Sequence, residues 1–387
     1  MSRFPIFLGA LLLGGLASLP QAQSADTSAK GYYLYVAAES EDVVALTHFD
    51  PAGAELRVVE RIQVGYQPTE IEGPHGLTVA PDGAHWYLTM AHGLPYGRLY
   101  KYTTGSNELV GMCELGLFPA TMQISETTGL LYCANFDLHG KMQPSTISIV
   151  DPESMIEVER TLTGPMPHGS RISADGMRHY SCSMMADQLF ELDTVSFEVL
   201  RTLTLSTSDD PAADAAAAAE HAKSASAKGK PSSHAAGEAQ HAASAKPTWA
   251  FPHPTLDFVY VALNGAAQVV EIDTKSWSIV RRFKTAKGPY NVEVSPDGKR
   301  MLVSYKGAQS VGLWDLPAGK ELARIQTSQP ITHGVLISPD SRFGFVTNEA
   351  IGATQGTLDV VDLSSLRIVA SVEIGLQAGG LAFWKLQ

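Results

Sequence analysis

One short block of sequence recurs seven times along the chain, and this repetition limits the possible folds more than any other feature. Each copy begins with a proline or a small residue, continues into a strand of alternating polarity and ends in a turn. Pro74-His75-Gly76, which leads to Pro81-Asp82-Gly83, is a clear example. The copies start at residues 74, 119, 167, 247, 289, 332 and 378. A spacing of about 45 residues is typical of propeller blades with four strands each.

The sequence therefore predicts an all-β fold, a seven-bladed β-propeller of four-stranded blades. Runs that alternate with period two predict further strands in each unit, for example residues 258–263. The seventh unit ends after its first strand, whereas three strand-like runs precede the first unit. These runs are residues 32–37, 43–49 and 56–64. The last blade should therefore be closed by the N- and C-terminal strands together.

The interval between the third and fourth units is longer because it contains a low-complexity insert, residues 206–246. Alanine, serine and lysine dominate this insert, which has almost no large apolar side chain and should be disordered. It also contains His221, His234 and His241. Two interpretations stay open. The insert is either a tolerated loop expansion, or a flexible arm whose spaced histidines collect copper or zinc weakly.

The first 25 residues have the pattern of a signal peptide. Arg3 is followed by an apolar run over residues 7–19, which is short for a membrane span, and by small residues suited to cleavage. The mature chain, residues 26–387, should then be a single propeller domain that is periplasmic or secreted. No later segment is apolar enough to span a membrane, and we expect the mature protein to be a monomer.

Charge and cysteine content exclude some classes of protein. The chain has 28 basic and 40 acidic residues, a net charge of −12, and no Lys/Arg-rich block, so nucleic-acid binding is not expected. The three cysteines are Cys113, Cys133 and Cys182. Two of them could form a disulfide after export, or all three could be small buried apolar residues. The sequence does not choose between these alternatives.

The repeat motifs resemble those of a known family. Turns such as Val294-Ser295-Pro296-Asp297-Gly298, the preceding His-Gly motifs and the Val-Asp turns are similar to those of the YVTN/YncE-like seven-bladed β-propellers. The resemblance extends over about residues 31–387 and implies the fold, whereas propellers host many activities. The architecture also resembles the propeller domains of nitrous oxide reductase and, with eight blades, of cytochrome d1 proteins. Neither resemblance assigns a catalytic residue here.

Five histidines are the candidate metal ligands. His75, His168 and His333 occupy equivalent positions at the start of the first strand of their units, so they should surround the mouth of the central channel. His92 and His139 follow second strands, which end on the same face, called the top face here. Convergent imidazoles suit zinc or copper. A histidine before a glycine can also be structural and hydrogen-bond to a neighbouring blade.

Other residues of the top face extend this prediction. Cys182, Met184 and Met185 occupy the matching stretch of the third unit and would add the soft donors that copper prefers. Trp249 and Tyr290 should lie near the mouth. A haem-type group would need one axial histidine, and covalent c-type haem is excluded because the chain lacks Cys-x-x-Cys-His.

Two classes of function follow from these observations. The favoured class is an exported binding protein whose top face holds a small ligand, a metal such as copper, or a protein partner. The alternative is a periplasmic oxidoreductase or cofactor-assembly factor with copper or a haem-type cofactor. A lactonase-like hydrolase is a third option, because related propellers include such enzymes. Binding is favoured because no motif for a catalytic nucleophile, phosphate or metalloprotease site is present.

Overall fold

The computed structural model describes residues 30–67, 69–92, 97–140, 142–207 and 244–387. Within these ranges, 28 strands form seven four-stranded sheets, which confirms the predicted propeller of seven blades. The predicted signal peptide and most of the insert, with its three histidines, lie outside the described residues. Among the described residues, no helix is long and apolar enough to cross a membrane.

Blades 1 to 6 each use four consecutive strands, ordered from the channel outwards. Blade 1 contains β4 (Pro74–Val79), β5 (His85–Met90), β6 (Arg98–Thr103) and β7 (Leu109–Glu114). Blade 2 contains β8 (Pro119–Ile124), β9 (Leu131–Asn135), β10 (Thr146–Asp151) and β11 (Ile156–Leu162). Blade 3 contains β12 (Pro167–Ile172), β13 (Arg178–Ser183), β14 (Gln188–Asp193) and β15 (Val199–Thr204).

The second half of the ring repeats this order. Blade 4 contains β16 (Pro247–Pro252), β17 (Phe258–Leu263), β18 (Gln268–Asp273) and β19 (Ser278–Lys284). Blade 5 contains β20 (Pro289–Val294), β21 (Arg300–Tyr305), β22 (Ser310–Asp315) and β23 (Lys320–Gln326). Blade 6 contains β24 (Thr332–Ile337), β25 (Phe343–Asn348), β26 (Gln355–Asp362) and β27 (Arg367–Leu376).

Blade 7 joins the two ends of the described chain. Its strand order is β28 (Ala378–Leu386), β1 (Tyr32–Ala38), β2 (Val43–Asp50) and β3 (Glu55–Gln63), and β28 pairs with β1 in antiparallel register. Backbone hydrogen bonds between Gly31 and Gln387, at 3.0 and 3.1 Å, extend this pairing to the end of the chain. The predicted closure by the N- and C-terminal strands is thus confirmed. A short 3₁₀ turn, Glu39–Glu41, connects β1 to β2.

The hydrophobic core lies between neighbouring blades. Trp86 of blade 1 is fully buried and stacks on Tyr102 at 4.1 Å and on Tyr35 of blade 7 at 4.8 Å between ring centroids. Its indole N–H donates to Asn107 Oδ1 at 3.1 Å, and this oxygen also accepts from the Tyr35 hydroxyl. Such aromatic pairs add about 0.5–1.5 kcal/mol each to the contribution of burial. They hold the closing blade against blade 1.

The Asp-Gly turns at the opposite face are held by local hydrogen bonds. Ser295 Oγ donates to Asp297 Oδ1 at 2.5 Å, and Asp297 Oδ1 accepts the N–H of Lys299. Gly298 has a φ of 70°, a conformation that favours glycine. The Ser173–Asp175 pair repeats this arrangement in blade 3. These turns end one strand and begin the next, as turn chemistry predicts.

Candidate functional site

The three histidines predicted at the channel mouth do converge there. His75, His168 and His333 are each the second residue of an innermost strand, and all three side chains are buried. The ring centroid of His75 lies 5.8 Å from that of His168 and 6.0 Å from that of His333. We call these residues the inner triad. Equivalent register in three blades brings them together although they are far apart in sequence.

The glycine after each of these histidines is required for packing of the innermost strands. A Cβ on Gly76 would lie 1.8 Å from the carbonyl oxygen of Ala120 in blade 2. A Cβ on Gly169 would lie 2.4 Å from the Thr248 carbonyl oxygen in blade 4. At these two positions the innermost strands of neighbouring blades approach so closely that only hydrogen fits. The glycine of each His-Gly pair therefore serves the scaffold.

Contacts between blades at these positions use the histidine backbone as well. Ser304 Oγ of blade 5 donates to the His333 carbonyl oxygen at 2.6 Å, and Thr121 Oγ1 of blade 2 donates to that of His168. Any residue could supply these carbonyl groups. The imidazole rings of His168 and His333 are therefore not required for these links between blades.

Glu39 holds two of the predicted histidines with one carboxylate. Its Oε2 lies 3.0 Å from His75 Nδ1, and its Oε1 lies 2.9 Å from His92 Nε2. Burial alone would raise the pKa of Glu39, but the adjacent His75 and His92 hold it well below its usual range. The carboxylate is therefore ionised. In the neutral tautomer whose Nδ1–H donates to this carboxylate, the lone pair of His75 is on Nε2.

His168 also has one ring nitrogen engaged and one without a partner. The Tyr290 hydroxyl lies 3.0 Å from Nε2. Nδ1 is buried without a hydrogen bond, and the Thr248 backbone lies nearby. Burial, followed by the charges of His75 and Lys306, holds the pKa of His168 well below its usual value. The ring is therefore neutral at physiological pH.

His333 completes the same pattern on the other side of the mouth. Its Nε2 lies 3.6 Å from Glu349 Oε1, and its Nδ1 is buried without a hydrogen bond. Burial, with Lys306 and His75, holds its pKa well below the usual value. Lys306 Nζ contacts Glu349 at 2.6 Å and lies 4.5 Å from the centroid of the Tyr290 ring. One lysine thus partly neutralises the second carboxylate of the mouth.

The other two predicted histidines form a separate group at the rim. The ring centroids of His92 and His139 are 5.8 Å apart. His139 is exposed, and the His92 side chain is 32% exposed. Phe118 contacts both rings and also the ring of His75, with centroids 5.0 to 5.9 Å apart. We call His92 and His139 the rim pair. Phe118 lies between this pair and the inner triad.

The triad borders a cavity of about 40 Å³ in the channel. Arg171, Trp249 and Glu293 are among the residues that line it, and the Arg171 guanidinium lies 4.9 Å from the Trp249 ring. Burial raises the pKa of Glu293 to about 7, although its carboxylate accepts the N–H of Ile337 at 2.8 Å. A volume of this size admits an ion or a few waters. Pockets for drug-sized ligands are about ten times larger.

The prediction for the soft donors was only partly right. Cys182 is wrong as a mouth residue, because β13 continues to Ser183 and the Cys182 side chain lies in the apolar core between blades 3 and 4. Burial raises the pKa of its thiol. Met185 is exposed, whereas Met184 packs against a top-face cluster that contains Met166, Phe118 and Phe136. All three cysteines are unpaired, and Cys133 is buried like Cys182.

No sequence pattern pointed to Glu39, which holds two of the histidines. Glu39 lies in blade 7, whereas Tyr290, Lys306 and Glu349 come from blades 5 and 6. No local pattern connects them with the histidines that they contact, and only ring closure places Glu39 beside His75. Trp249 and Tyr290 were predicted near the mouth, and both contact the His168 ring, at 5.7 and 5.3 Å between centroids.

The distances from the His75 ring to the other two rings of the triad are close to those in a metal site. Three imidazoles that share one ion, with metal–nitrogen distances of about 2.0 Å, place their ring centroids about 5 to 5.5 Å apart. In the described part of the chain, no group of three or more His, Cys, Asp or Glu side chains is already arranged to hold an ion. The rings would have to move inwards slightly. The metal site at His75, His92, His139, His168 and His333 therefore stays a prediction.

Comparison with known proteins establishes the family. A family model described as "YNCE-like beta-propeller" matches residues 141–381, which is more than half of the chain. The chain belongs to this family. No curated protein matches this YNCE-like propeller.

Solved structures that are similar to this YNCE-like propeller include the following two. Kuenenia stuttgartiensis hydrazine synthase shares 17% identity at a TM-score of 0.61, over 83% of this chain and 92% of the other. The periplasmic gluconolactonase of Pseudomonas aeruginosa shares 17% identity at a TM-score of 0.68, over 92% of this chain and 99% of the other. At such identities the likeness shows the fold alone, and the function has to be argued from the site.

Proposed function

We propose that this YNCE-like propeller is an exported binding protein that holds one transition-metal ion, with copper preferred, at the channel mouth. The ligands are the imidazoles of His75, His168 and His333. The observation that carries this proposal is which nitrogens of the three rings have partners and which do not. Each has one nitrogen near a carboxylate or phenol, and the second nitrogen of His168 and of His333 is buried without a partner.

This arrangement matches what a metal requires from its ligands. Metal-bound histidines usually direct the other ring nitrogen at a carboxylate or similar group, which fixes the tautomer and the ring orientation. A buried polar atom without a hydrogen bond costs about 1–3 kcal/mol, a cost that an ion would remove. The lowered pKa values of His168 and His333 keep their lone pairs available at neutral pH.

Copper is preferred for two reasons. Imidazole sites bind divalent copper more tightly than the other first-row metals, and thioethers favour monovalent copper. Met166 and Met184 belong to the top-face cluster that borders the triad. The small channel cavity favours an ion over hydrolysis of a sugar lactone, because it lacks the volume for such a substrate.

Elemental analysis of the protein, purified without a histidine tag from its native export compartment, tests this proposal. We expect about one tightly held copper ion per chain and a mature N-terminus close to residue 26. The variant H75A/H168A/H333A should lose this ion, and H333Q alone should weaken copper binding at least ~10-fold. His179, which is buried away from the mouth, provides the control variant H179L, which should bind copper like the parent.

Two results would contradict the proposal. Protein that contains no metal and takes up none on titration would leave the triad as a structural feature. A triple variant that binds copper as tightly as the parent would place the ion elsewhere. If the triple variant does not fold, H333Q and H168Q, which retain polar side chains of similar size, give the same comparison.

A further inference from the structure

We infer that the rim pair, His92 and His139, forms a second and weaker metal site, through which the ion passes to the inner triad. This inference rests on the proposed function. It assigns the two groups of histidines different tasks, since one group is buried and the other is accessible to solvent.

The geometry of the rim pair suits a labile site. The two rings are 5.8 Å apart between centroids and tilted by 36° to each other, so a small movement would bring one nitrogen of each to a shared ion. Asp137 lies close enough to His139 for their charges to interact, and adds a negative group beside the pair. Two protein ligands leave the remaining positions to water. Such an ion exchanges readily.

Glu39 connects the two sites. Its two carboxylate oxygens hold His92 of the rim pair and His75 of the inner triad at 2.9 and 3.0 Å. His92 therefore has its Nε2 engaged, and its other nitrogen, Nδ1, faces no hydrogen-bond partner in the described structure. The Phe118 ring, which contacts both His75 and His92, would separate an ion on the rim pair from the triad.

Copper titration of defined variants tests this inference. The parent for this experiment carries serine in place of His221, His234 and His241, so that the insert cannot bind the ion. Titration with Cu²⁺ against a competing chelator should reveal one tight and one weak site. H139A should abolish only the weak site and slow the loading of the tight site at least ~10-fold. H168A should weaken only the tight site. H85A, at the start of β5 near the opposite face, is the matched control.

The possible outcomes separate this inference from the proposed function. If the parent binds one tight ion, and H139A changes neither the stoichiometry nor the loading rate, the rim site is refuted and the proposed function stands. If the weak site is lost in H139A but no tight site exists, the inner triad is refuted as a metal site, and the transfer step with it. Electron paramagnetic resonance identifies the site, because the number of coordinated nitrogens differs between the two.

Discussion

Replacing Gly76 with alanine is expected to lower the free energy of unfolding by about 3 kcal/mol or more. The new Cβ would lie 1.8 Å from the Ala120 carbonyl oxygen, which belongs to the backbone of blade 2 and cannot rotate away. Relief requires β4 and β8 to separate. That movement would also disturb Thr89 Oγ1, which accepts the Gly76 N–H at 2.7 Å and donates to the Ala120 carbonyl oxygen at 3.2 Å.

Urea denaturation of the mature protein measures this effect as a shift of the midpoint at constant m-value. Gly53 provides the control, because its φ is ordinary and the nearest atom to its Cβ, Asp50 Oδ2, is 3.6 Å away. G53A should change the stability by less than about 0.5 kcal/mol. Equal stabilities for G76A and G53A would mean that the innermost strands can move apart at little cost. The interpretation of the His-Gly motif would then be wrong.

Replacing His179 with leucine is expected to make the protein less sensitive to acid. This imidazole is fully buried and stacks on Tyr132 at 5.3 Å between centroids, and neither of its nitrogens has a hydrogen bond. Burial, followed by the charge of Arg171, lowers its pKa to about 3. In the unfolded chain the same ring has a pKa of about 6.5. Between these values the unfolded state binds the extra proton.

The stability of the parent should therefore fall as the pH decreases from about 6.5 towards about 3. The loss due to His179 alone is about 2 kcal/mol at pH 5, from 1.36 kcal/mol per pH unit. H179L removes this contribution, and it should also be about 1 kcal/mol more stable at pH 7, since it buries no unpaired polar atom. The pKa values of His168 and His333 are also lowered, so the variant keeps part of the acid sensitivity.

Denaturation curves at pH 7 and pH 5, in the presence of a chelator, measure the difference. The exposed His139 supplies the control H139Q, which should lose as much stability on acidification as the parent. If H179L and the parent lose equal stability between these pH values, the pKa of His179 in the folded protein must be close to its value in the unfolded chain. The assignment of a neutral imidazole with no hydrogen bond would then have to be abandoned.

The soft donors show where prediction from the sequence failed, and why. Cys182 was placed at the mouth because it lies near the end of a second strand. In a second strand, only the residues that follow its last residue reach the mouth. Within the strand, alternate side chains point between the blades. β13 includes Ser183, so Cys182 remains in the core, and Met184, just beyond the strand, reaches the top-face cluster. An error of two residues in the strand boundary changes the environment of a side chain completely.

The sequence by itself determined the number of blades, the closure by both ends and the convergence of His75, His168 and His333. Each of these follows from a repeated local pattern, because equivalent positions in equivalent blades must have equivalent surroundings. The hydrogen-bond partners of the rings were decided only by the tertiary structure. Tyr290 is 122 residues from His168, and Glu39 reaches His75 only because blade 7 closes the ring. These side-chain partners follow no repeat, since they depend on how whole sheets pack around the channel.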